Sequence, residues 1–373
     1  MTNKKTISPI TNRKIRIAIV GCGRISRNHI RSVLINKDSS ELVCICDPNL
    51  DNLQSALTLI EEIKVKDPSI ICTPVKFCDY NDLLDQIRSQ KVKVDLIILA
   101  TPSGLHSSQV IAGSKLGIHM CSEKPMATNL IDGKRMLDAC KTANVHLFVV
   151  KQNRLNPTLQ LLKKQIKNNK FGKIALVTIN VFWQRPQSYY DQDDWRGTWQ
   201  FDGGCLMNQA SHYIDLLDWL IGPVKSINAS IATLGRNIEV EDTATLNIKW
   251  ANGALGTMAV TMLTYPKNLE GSITILGDKG TARIGGKAVN EIEIWEFKDC
   301  ELNENQIKNA SYETSSVYGF GHPIYYKNMI NTIRGLENPI CDGEDGLKSL
   351  ELLEGSYTSA KTDQTVEFPL SIK

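Results

Sequence analysis

Two side chains in the sequence, Lys124 and His212, can exchange a proton with a hydroxyl group. Lys124 lies between Glu123 and Pro125 in "CSEKPMA", at the end of a predicted strand. His212 lies in "GGCLMNQASHYIDLLDWL", and an unperturbed histidine gains and loses its proton near neutral pH. Two structural alternatives are open, because the lysine could form a surface salt bridge with Glu123 and the histidine could lie on the solvated face of a helix.

The positions around His212 match one face of a helix. Asn208, His212 and Asp215 are separated by four and three residues, so a helix presents them on the same side, with Ser211 at the edge. We predict that Asn208 and Ser211 bind the substrate together with His212, and that Asp215 orients the imidazole.

A further stretch, "VFWQRPQSYYDQDDWRGTW" at residues 181–199, combines arginines, acids and aromatic rings without helical or strand alternation. Arginine binds phosphate and carboxylate groups through paired N–H bonds, and aromatic faces can wall a sugar or stack on a base. In the structural alternative, the tryptophans anchor the loop on a sheet and Arg196 pairs with Asp193 or Asp194. The predicted substrate-binding residues outside the His212 segment are Lys124, Asn156, Arg185, Tyr189, Trp195, Arg196 and Lys267.

These residues need elements that position them, and the sequence predicts two domains. Residues 1–150 alternate β-branched runs such as "IRIAIVG" and "VDLIILA" with helix-like segments, which is typical of a doubly wound parallel sheet. From about Phe171, strand-like runs joined by Asn-Gly and Asp-Lys-Gly turns indicate a mostly antiparallel sheet that is open on one face. We predict an α/β fold with an N-terminal Rossmann domain at 1–150 and a C-terminal α+β domain at 151–373.

The first predicted strand ends in the loop "VGCGRIS", which has the form of a dinucleotide-binding turn with serine at the third glycine position. Gly21 and Gly23 allow the tight turn and the close approach of a diphosphate to the start of the next helix. Asp47 ends the second strand, where a carboxylate accepts hydrogen bonds from a ribose and repels a 2′-phosphate. The pattern predicts NAD rather than NADP; in the alternative, Asp47 caps the helix that follows Pro48.

Two more loops follow predicted strands at the same edge of the sheet, where open α/β sheets bind their ligands. They are "ATPSGLHSSQV" and "CSEKPMA". His106 in the first loop has an equally weighted alternative as a first-turn helix residue. The predicted cofactor-binding residues are Gly21, Gly23, Arg24, Ile25, Asp47, Thr101, Pro102, His106, Glu123 and Lys124.

Composition favours a small-molecule partner. The 373 residues carry 43 Lys and Arg against 40 Asp and Glu, a balance that requires neither nucleic acid nor an anionic membrane as a partner. The ten cysteines are scattered and form no CxxC pair, so reduced thiols are expected, and no metal is predicted. The stretch "MTNKKTISPITNRK" has no apolar signal region, and no run has the apolar length of a transmembrane helix. We expect a cytoplasmic protein.

Taken together, the glycine loop, the "EKP" tripeptide and the antiparallel domain resemble the glucose-fructose oxidoreductase / inositol dehydrogenase / MocA family of NAD(P)-dependent oxidoreductases. The resemblance covers nearly the whole chain, and it implies that Lys124 lies beside the nicotinamide and the substrate hydroxyl group. The family's D-x-G-x-H-x-x-D signature is changed here, because Asn208 replaces its first Asp and Ala210 its Gly. An amide in place of a carboxylate suits a substrate that already carries negative charge.

A narrower resemblance joins the 181–199 stretch, "LMNQASHYIDLL", "IEVEDTA" and "TMLTYPKNLEGSITILG" to the UDP-N-acetyl-2-amino-2-deoxy-D-glucuronate 3-dehydrogenases of bacterial surface-polysaccharide synthesis, such as that of lipopolysaccharide O-antigen. It implies a UDP-sugar acid as substrate, oxidation of its C3 hydroxyl group with NAD, and a homo-oligomer, a tetramer or a dimer, formed through the open sheet. Some members reoxidise their NADH with 2-oxoglutarate, which makes that acid a candidate partner.

The implied reaction assigns catalytic roles. Loss of hydride from C3 requires a base for the hydroxyl proton. We predict His212 as that base and Lys124 as the group that stabilises the alkoxide; the roles exchange if Lys124 is neutral. Two other functions remain open, a reductase of another nucleotide-linked keto sugar and a non-catalytic dinucleotide-binding sensor.

Overall fold

The computed structural model describes residues 7–299, 304–314 and 319–370, which form two compact units. One unit contains the described residues up to Val150 together with His322–Leu347. The other contains Lys151–Gly321 and the chain from Lys348 onwards. Within the described ranges, no helix combines the length and the apolar character that crossing a bilayer requires.

The first unit is built on a parallel sheet. Its strands are β1 (Ile15–Val20), β2 (Ser40–Cys46), β3 (Val75–Phe77), β4 (Leu96–Leu99), β5 (His119–Ser122) and β6 (Leu147–Val149). They pair in the order β3-β2-β1-β4-β5-β6. The central strands β1 and β4 are buried almost throughout, because helices cover a parallel sheet on both faces. The predicted doubly wound sheet is confirmed.

Helices connect the strands of this unit. They are α1 (Ser26–Ile35), α2 (Leu50–Lys66), α3 (Tyr80–Arg88), α4 (His106–Ser114) and α5 (Leu130–Ala143). Short polar side chains start three of them by accepting backbone N–H groups of the first turn: Asn49 for α2, Asp79 for α3 and Asn129 for α5.

The second unit contains a mixed sheet. Its strands are β7 (Ile174–Phe182), β8 (Val224–Ala232), β9 (Thr243–Trp250), β10 (Leu255–Thr261), β11 (Glu270–Gly277), β12 (Gly280–Gly285), β13 (Glu291–Phe297) and β14 (Val366–Glu367). They pair in the order β13-β12-β11-β7-β10-β9-β8-β14. Only β7 and β10 pair in parallel among these neighbours, which confirms the predicted, mostly antiparallel sheet.

One face of this sheet is buried and the other is exposed. On β7, Val177, Ile179 and Val181 are buried while Leu176 on the opposite face is 37% exposed. The helices of this unit are α6 (Pro157–Lys167), α7 (Gln187–Tyr190), α8 (Ser211–Leu216), α9 (Glu304–Ala310) and most of α11 (Gly343–Thr362). Ser359 of α11 accepts the backbone N–H of Ala229 at 3.0 Å, so this helix contacts the backbone of β8.

The segment His322–Leu347 belongs to the first unit, whereas the predicted boundary gave all residues after 150 to the second domain. It contains almost all of α10 (Gly321–Ile333). The fully buried Tyr325 of α10 donates its hydroxyl to the carbonyl oxygen of Val149 at 2.6 Å. Phe148 also forms a bridge with Asp342, so the returning chain covers the β6 edge of the parallel sheet.

Candidate active site

The glycine loop after β1 leaves space for a phosphate group. Gly21 has a φ of +91°, and a Cβ there would lie 2.5 Å from the carbonyl oxygen of Ala100, so a side chain does not fit. A Cβ on Gly23 would have no neighbour within 4 Å, which leaves its surroundings open. Ser26 takes the place of the third glycine. Its buried hydroxyl donates to the carbonyl oxygen of Gly23 at 2.6 Å and is thereby satisfied.

Asp47 is joined to the glycine loop. One carboxylate oxygen accepts the backbone N–H of Cys22 at 2.7 Å, and the other accepts that of Asn49 at 2.8 Å. The side-chain amide of Asn52 lies 3.3 Å from the second oxygen. An ionised carboxylate has about four acceptor sites, so capacity remains for a ribose hydroxyl. The residue that caps α2 is Asn49, so the capping alternative for Asp47 does not describe this helix.

A cavity of about 200 Å³ lies beside the loop. The glycine loop, α1 and α2 line it, and its polar and basic lining includes Arg24, Arg27, Asn52 and Ser55 next to Gly23. Ile25 is the residue that precedes α1. Open backbone at Gly23, a helix start and a ribose acceptor together fit a dinucleotide.

His106 holds two loops together. Its fully buried ring places Nε2 3.0 Å from the Thr101 carbonyl oxygen and Nδ1 3.0 Å from the Pro125 carbonyl oxygen. Burial lowers its pKa, because the charged form loses hydration. A neutral ring has one N–H, so His106 donates to one of these two carbonyl oxygens and lies against the other. Its predicted contact with the cofactor stays a prediction. Thr101 donates its hydroxyl to Gln109 at 2.6 Å, and Pro102 starts a 3₁₀ turn.

Glu123 faces the interior of the first unit. Its Oε1 lies 3.1 Å from His29 Nε2 and 3.9 Å from His322 Nε2, and its Oε2 accepts the backbone N–H of Lys124 at 3.1 Å. Burial alone would raise the pKa of Glu123, but the two histidines hold it well below its ordinary value. The predicted contact of Glu123 with the cofactor stays a prediction. Lys124 itself is partly exposed and is joined to Pro125 by a cis peptide bond.

In the second unit, His212 contacts Gln152, a residue that the sequence did not single out. The two Nε2 atoms are 3.1 Å apart, and both side chains are buried. This contact governs which ring nitrogen of His212 carries the proton. Next to it, the hydroxyl of the buried Ser211 makes no hydrogen bond to any described residue.

Asp215 is a partner of Arg154. The guanidinium donates from Nε and Nη2 to both carboxylate oxygens at 2.7 Å, and Ser349 donates its hydroxyl at 2.9 Å. Lys151 Nζ lies 3.9 Å away. Burial opposes ionisation, but the charges of Lys151 and Arg154 hold the pKa of Asp215 below its ordinary value. The predicted orientation of His212 by Asp215 is therefore replaced by an ion pair with Arg154, and Gln152 is the neighbour of the imidazole.

The prediction that Asn208 shares a helix face with His212 is wrong. Helix α8 begins at Ser211, and Asn208 lies in the preceding turns, with its backbone N–H on the Gly204 carbonyl oxygen at 2.9 Å. Its side-chain amide donates to the buried carboxylate of Asp202, whose other oxygen accepts the N–H of Gly197 at 2.8 Å. The signature position that carries an amide here is thus linked to a carboxylate six residues earlier.

The 181–199 stretch forms an arginine–aromatic ladder made of Trp183, Arg185, Tyr189, Arg196 and Trp195. Arg185 lies 5.4 Å from the ring centre of Trp183 and 5.5 Å from that of Tyr189. Arg196 lies 4.7 Å from Tyr189 and 4.6 Å from Trp195. Stacking of this kind holds a guanidinium plane while its edge can still bind an anion.

The same stretch also shows contacts of the structural alternative, in which Arg196 pairs with an aspartate and the tryptophans anchor the loop. Arg196 donates to Asp193 at 2.8 Å. Trp199, 46% exposed, packs edge-on against Tyr357 with ring centres 5.3 Å apart. Lys267 is exposed.

Two predicted substrate-binding residues lie outside the ladder, Lys267 and Asn156. Asn268, next to Lys267, accepts the backbone N–H of Gln184 at 2.8 Å and lies 3.4 Å from Arg185 Nη1. Asn156 lies at the start of α6 and is 1% exposed. Neither polar atom of its amide bonds to a described residue, which fits a polar ligand.

Glu241 is a second buried group that the sequence analysis missed, although "IEVEDTA" contains it. Its Oε1 accepts the backbone N–H of Leu206 and the hydroxyl of Tyr357, each at 2.9 Å. A Cβ on Gly204 would lie 1.8 Å from Oε2, so this position requires glycine. Burial raises the pKa of Glu241 to about 7.

The fold and these groups define a dinucleotide-dependent oxidoreductase, and comparison with known families gives the same class. Residues 15–151 match the NAD-binding Rossmann fold of the Gfo/Idh/MocA oxidoreductase family, and residues 163–368 match its C-terminal alpha/beta domain. The chain belongs to the Gfo/Idh/MocA oxidoreductase family. It is an NAD-dependent dehydrogenase that acts on a CH–OH group.

Relatives with known activity and structure extend the comparison. The chain is 24% identical to D-apiose dehydrogenase of Paraburkholderia graminis over 96% of this chain and 90% of that protein. It is 25% identical to myo-inositol 2-dehydrogenase of Thermotoga maritima, over 95% and 98%.

Two crystal structures are much more similar. The WlbA dehydrogenase of Bordetella pertussis is 53% identical over 97% of this chain and 100% of that chain, with a TM-score of 0.89. The WlbA dehydrogenase of Chromobacterium violaceum is 52% identical over 98% and 99%, also with a TM-score of 0.89. Both were crystallised with NADH and UDP-GlcNAcA.

Proposed function

We propose that this protein oxidises the C3 hydroxyl group of UDP-N-acetyl-2-amino-2-deoxy-D-glucuronate (UDP-GlcNAcA) to a 3-keto sugar, in the synthesis of lipopolysaccharide O-antigen or a related surface polysaccharide. The observation that carries the proposal is the 53% identity, over almost the whole chain, to a dehydrogenase crystallised with that sugar nucleotide. Relatives near 25% identity bear the names of different sugar and polyol dehydrogenases, so family membership alone does not define the substrate.

In this proposal Lys124 and His212 act on the same hydroxyl group. When bound, NAD supplies the acceptor for the hydride that leaves C3. His212 takes the hydroxyl proton on Nδ1, and the Gln152 amide, 3.1 Å from Nε2, turns its oxygen to accept Nε2–H and so holds the ring in the tautomer that this role requires. Lys124 donates to the hydroxyl oxygen and stabilises the negative charge that grows on it as the proton leaves.

The anionic parts of the substrate call for cations with fixed geometry. Arg185 and Arg196 are held by the aromatic rings of the ladder, and we assign the diphosphate and the sugar carboxylate to them and to Lys267. Tyr189 and Trp195 then offer faces to the uracil or the sugar. Asn156 and Ser211, whose side chains are buried without hydrogen bonds to described residues, supply neutral hydrogen bonds to hydroxyl or acetamido groups.

Three further properties belong to the same proposal. The described cysteines are free thiols, which fits a cytoplasmic enzyme. The exposed face of the second unit's sheet fits assembly into a dimer or tetramer. 2-Oxoglutarate is the proposed acceptor for reoxidation of bound NADH.

Turnover of purified protein tests the reaction and the catalytic pair. We expect UDP-GlcNAcA and NAD to give NADH absorbance and a product lighter by two hydrogens, whereas neutral UDP-GlcNAc should react poorly, because the cation for its missing carboxylate stays unpaired. Lys124→Ala and His212→Ala should each slow oxidation by roughly two to four powers of ten. Only His212→Ala should recover at high pH, where hydroxide replaces the base.

Lys163→Ala is the matched control, because this lysine lies 5.4 Å over the ring of Trp219 and has no role in the proposed chemistry. Equal rates with the acidic and neutral sugars would contradict a dedicated carboxylate contact. High-pH rescue of the lysine variant instead of the histidine variant would exchange the two roles. NADH consumption with a keto sugar alone would favour the reductase, and dinucleotide binding without turnover would favour the sensor.

A further inference from the structure

A buried glutamate–histidine cluster, made of Glu123, His29 and His322, lies next to the backbone of Lys124 in the first unit. The three residues are 7%, 0% and 3% exposed. Each comes from a different element: Glu123 follows β5, His29 belongs to α1, and His322 belongs to α10. The cluster therefore ties the strand end that carries Lys124 to two helices.

The two ring nitrogens of His29 face different neighbours. Its Nε2 lies 3.1 Å from Glu123 Oε1, and its Nδ1 lies 2.8 Å from the hydroxyl of Tyr326. Burial raises the pKa of Tyr326, so that hydroxyl keeps its proton. The hydroxyl of Tyr326 can therefore donate to Nδ1, while Nε2 faces the Glu123 carboxylate without completing a hydrogen bond to a described residue.

The cluster acts on the main chain of the catalytic loop. Glu123 Oε2 accepts the backbone N–H of Lys124 at 3.1 Å. On the other side of Lys124, the carbonyl oxygen of Pro125 lies 3.0 Å from Nδ1 of the buried His106. The backbone on both sides of Lys124 is thus held by buried side chains, and Glu123 depends on His29 for its own position.

We propose that His29 is a positioning residue for oxidation, which holds the Glu123 carboxylate and so fixes the backbone from which Lys124 reaches the substrate. The proposal rests on the proposed role of Lys124. A purely structural histidine would stabilise the fold without changing turnover per folded active site. A positioning histidine must change turnover, because a displacement of about 1 Å at a catalytic group can cost about a hundredfold in rate.

The same three side chains could ligate a divalent cation, since their ligand atoms lie within 4.8 Å of one another. We take direct contact as the proposal. His29 Nε2 and Glu123 Oε1 are 3.1 Å apart, which is within donor–acceptor distance although neither atom completes a hydrogen bond to a described residue, and the hydroxyl of Tyr326 lies 2.8 Å from the other ring nitrogen. The metal is therefore an outcome that the experiment must separate.

The first measurement compares variants of His29 with a matched control. His29→Phe keeps a ring and removes both nitrogens, and His29→Gln retains a side-chain N–H. We expect kcat, normalised to NADH-binding sites, to fall about 10- to 100-fold in His29→Phe with little change in KM for NAD, and to recover largely in His29→Gln. The control is His119→Phe, since His119 is also buried in this unit and contacts the His146 backbone at 3.1 Å.

The pH dependence of kcat separates the two roles, because a purely structural His29 would leave it unchanged. The titratable groups that face Glu123 are His29, His106, Cys121, His322 and Tyr326. Burial raises the pKa of Cys121 and Tyr326 and lowers that of His106 and His322, so these four stay neutral near neutral pH. Without His29 the burial of Glu123 is less compensated and its pKa rises, so kcat of His29→Phe should show an acid limb in addition to the one that protonation of the proposed base His212 gives the wild type.

Glu123→Gln tests the same step without reshaping α1. This variant should also lower kcat, and combined with His29→Phe it should abolish the new acid limb, because no carboxylate is left to protonate. Hydrogen exchange of the peptide that contains the Lys124 amide should accelerate in His29→Phe and not in His119→Phe. Hydrogen exchange needs no substrate, so it tests the positioning role of His29 independently of the reaction. Failure of the wild type to oxidise UDP-GlcNAcA would overturn the proposed function instead.

Three results would overturn the positioning role. The first is a loss of kcat in His29→Phe no larger than in His119→Phe. The second is unchanged exchange at Lys124 in folded His29→Phe or Glu123→Gln protein. The third is one equivalent of bound metal in the purified wild type, provided that chelation removes both the metal and the activity and that His29→Phe binds no metal. The cluster would then be a metal site.

Discussion

At single residues, each unit contains a buried carboxylate that several partners hold in place. Asp215 is held by Arg154 and Ser349, and Glu123 by two histidines and a backbone N–H. A buried charge that loses one partner keeps the full cost of its lost hydration. We therefore expect substitutions of the partners to be as damaging as substitutions of the charged residues themselves.

Asp47 gives a prediction about cofactor preference. Asp47→Ala removes the acceptor for a ribose hydroxyl and the negative charge that repels a 2′-phosphate. We expect the Kd for NAD to rise about 10- to 100-fold, because hydrogen bonds to charged groups contribute about 1.5–3 kcal/mol, and the affinity for NADP to improve relative to NAD. Binding titrations by NADH and NADPH fluorescence measure both, with the exposed Asp51→Ala in the same region as control. An unchanged ratio would mean that Asp47 only shapes the loop.

At the scale of elements, the turns before α8 are bound by the side chain of Glu241, which lies far from them in sequence. Glu241 precedes β9 and binds the N–H of Leu206, and Tyr357 of α11 donates to the same oxygen. The turns that Glu241 binds lead directly into α8, which begins at Ser211 and contains His212. The helix that carries the proposed base is therefore positioned by a buried carboxyl group.

Glu241 makes stability depend on pH. Its folded-state pKa of about 7 lies above the ordinary value of 4.5, so between these values the folded protein keeps a proton that the unfolded chain releases. The free energy of unfolding should fall as pH rises from about 5 to 7, by at most about 1.4 kcal/mol per pH unit from this group. Glu241→Gln should flatten this slope in urea titrations. The matched control is Glu239→Gln, an exposed neighbour, and an unaltered slope in Glu241→Gln would show that another group is responsible.

At the scale of the whole molecule, the second unit presents an apolar row on the exposed face of its sheet. Leu255 on β10 and Leu276 on β11 are register partners of Leu176 on β7, so the three leucines form a continuous row across three strands. They are 51%, 36% and 37% exposed, in that order. A row of this kind fits the proposed association of copies of the chain.

Leu176→Glu tests that association. A carboxylate at the centre of the row should be buried unpaired in an oligomer, and we expect light scattering after size-exclusion chromatography to give a smaller species at micromolar concentration. Ile71→Glu is the control, because this 94% exposed side chain of the first unit undergoes the same change. An unchanged mass of the Leu176→Glu protein would place the interface elsewhere.

The sequence by itself determined the parallel sheet and the glycine loop, because both depend on residues that are neighbours in the chain. The parallel sheet followed from short apolar runs, and the glycine loop from Gly21 and Gly23, whose backbone requirements are local. Strand ends also brought Asp47 and Lys124 to the edge where such sheets bind ligands. The dinucleotide site and its preference for NAD could therefore be predicted from local patterns, and the family resemblance implied the class of enzyme.

Only the tertiary structure decided which partners these residues have. Helical spacing put Asn208 on one face with His212, but α8 begins only at Ser211, and the preceding turns are bound by Glu241, which is distant in sequence. Asp215 pairs with Arg154, and His29 and His322 reach Glu123 from helices at opposite ends of the chain, because the segment from His322 returns to the first unit. A buried charge takes the partner that packing brings within about 4 Å, and sequence spacing carries no information about that distance.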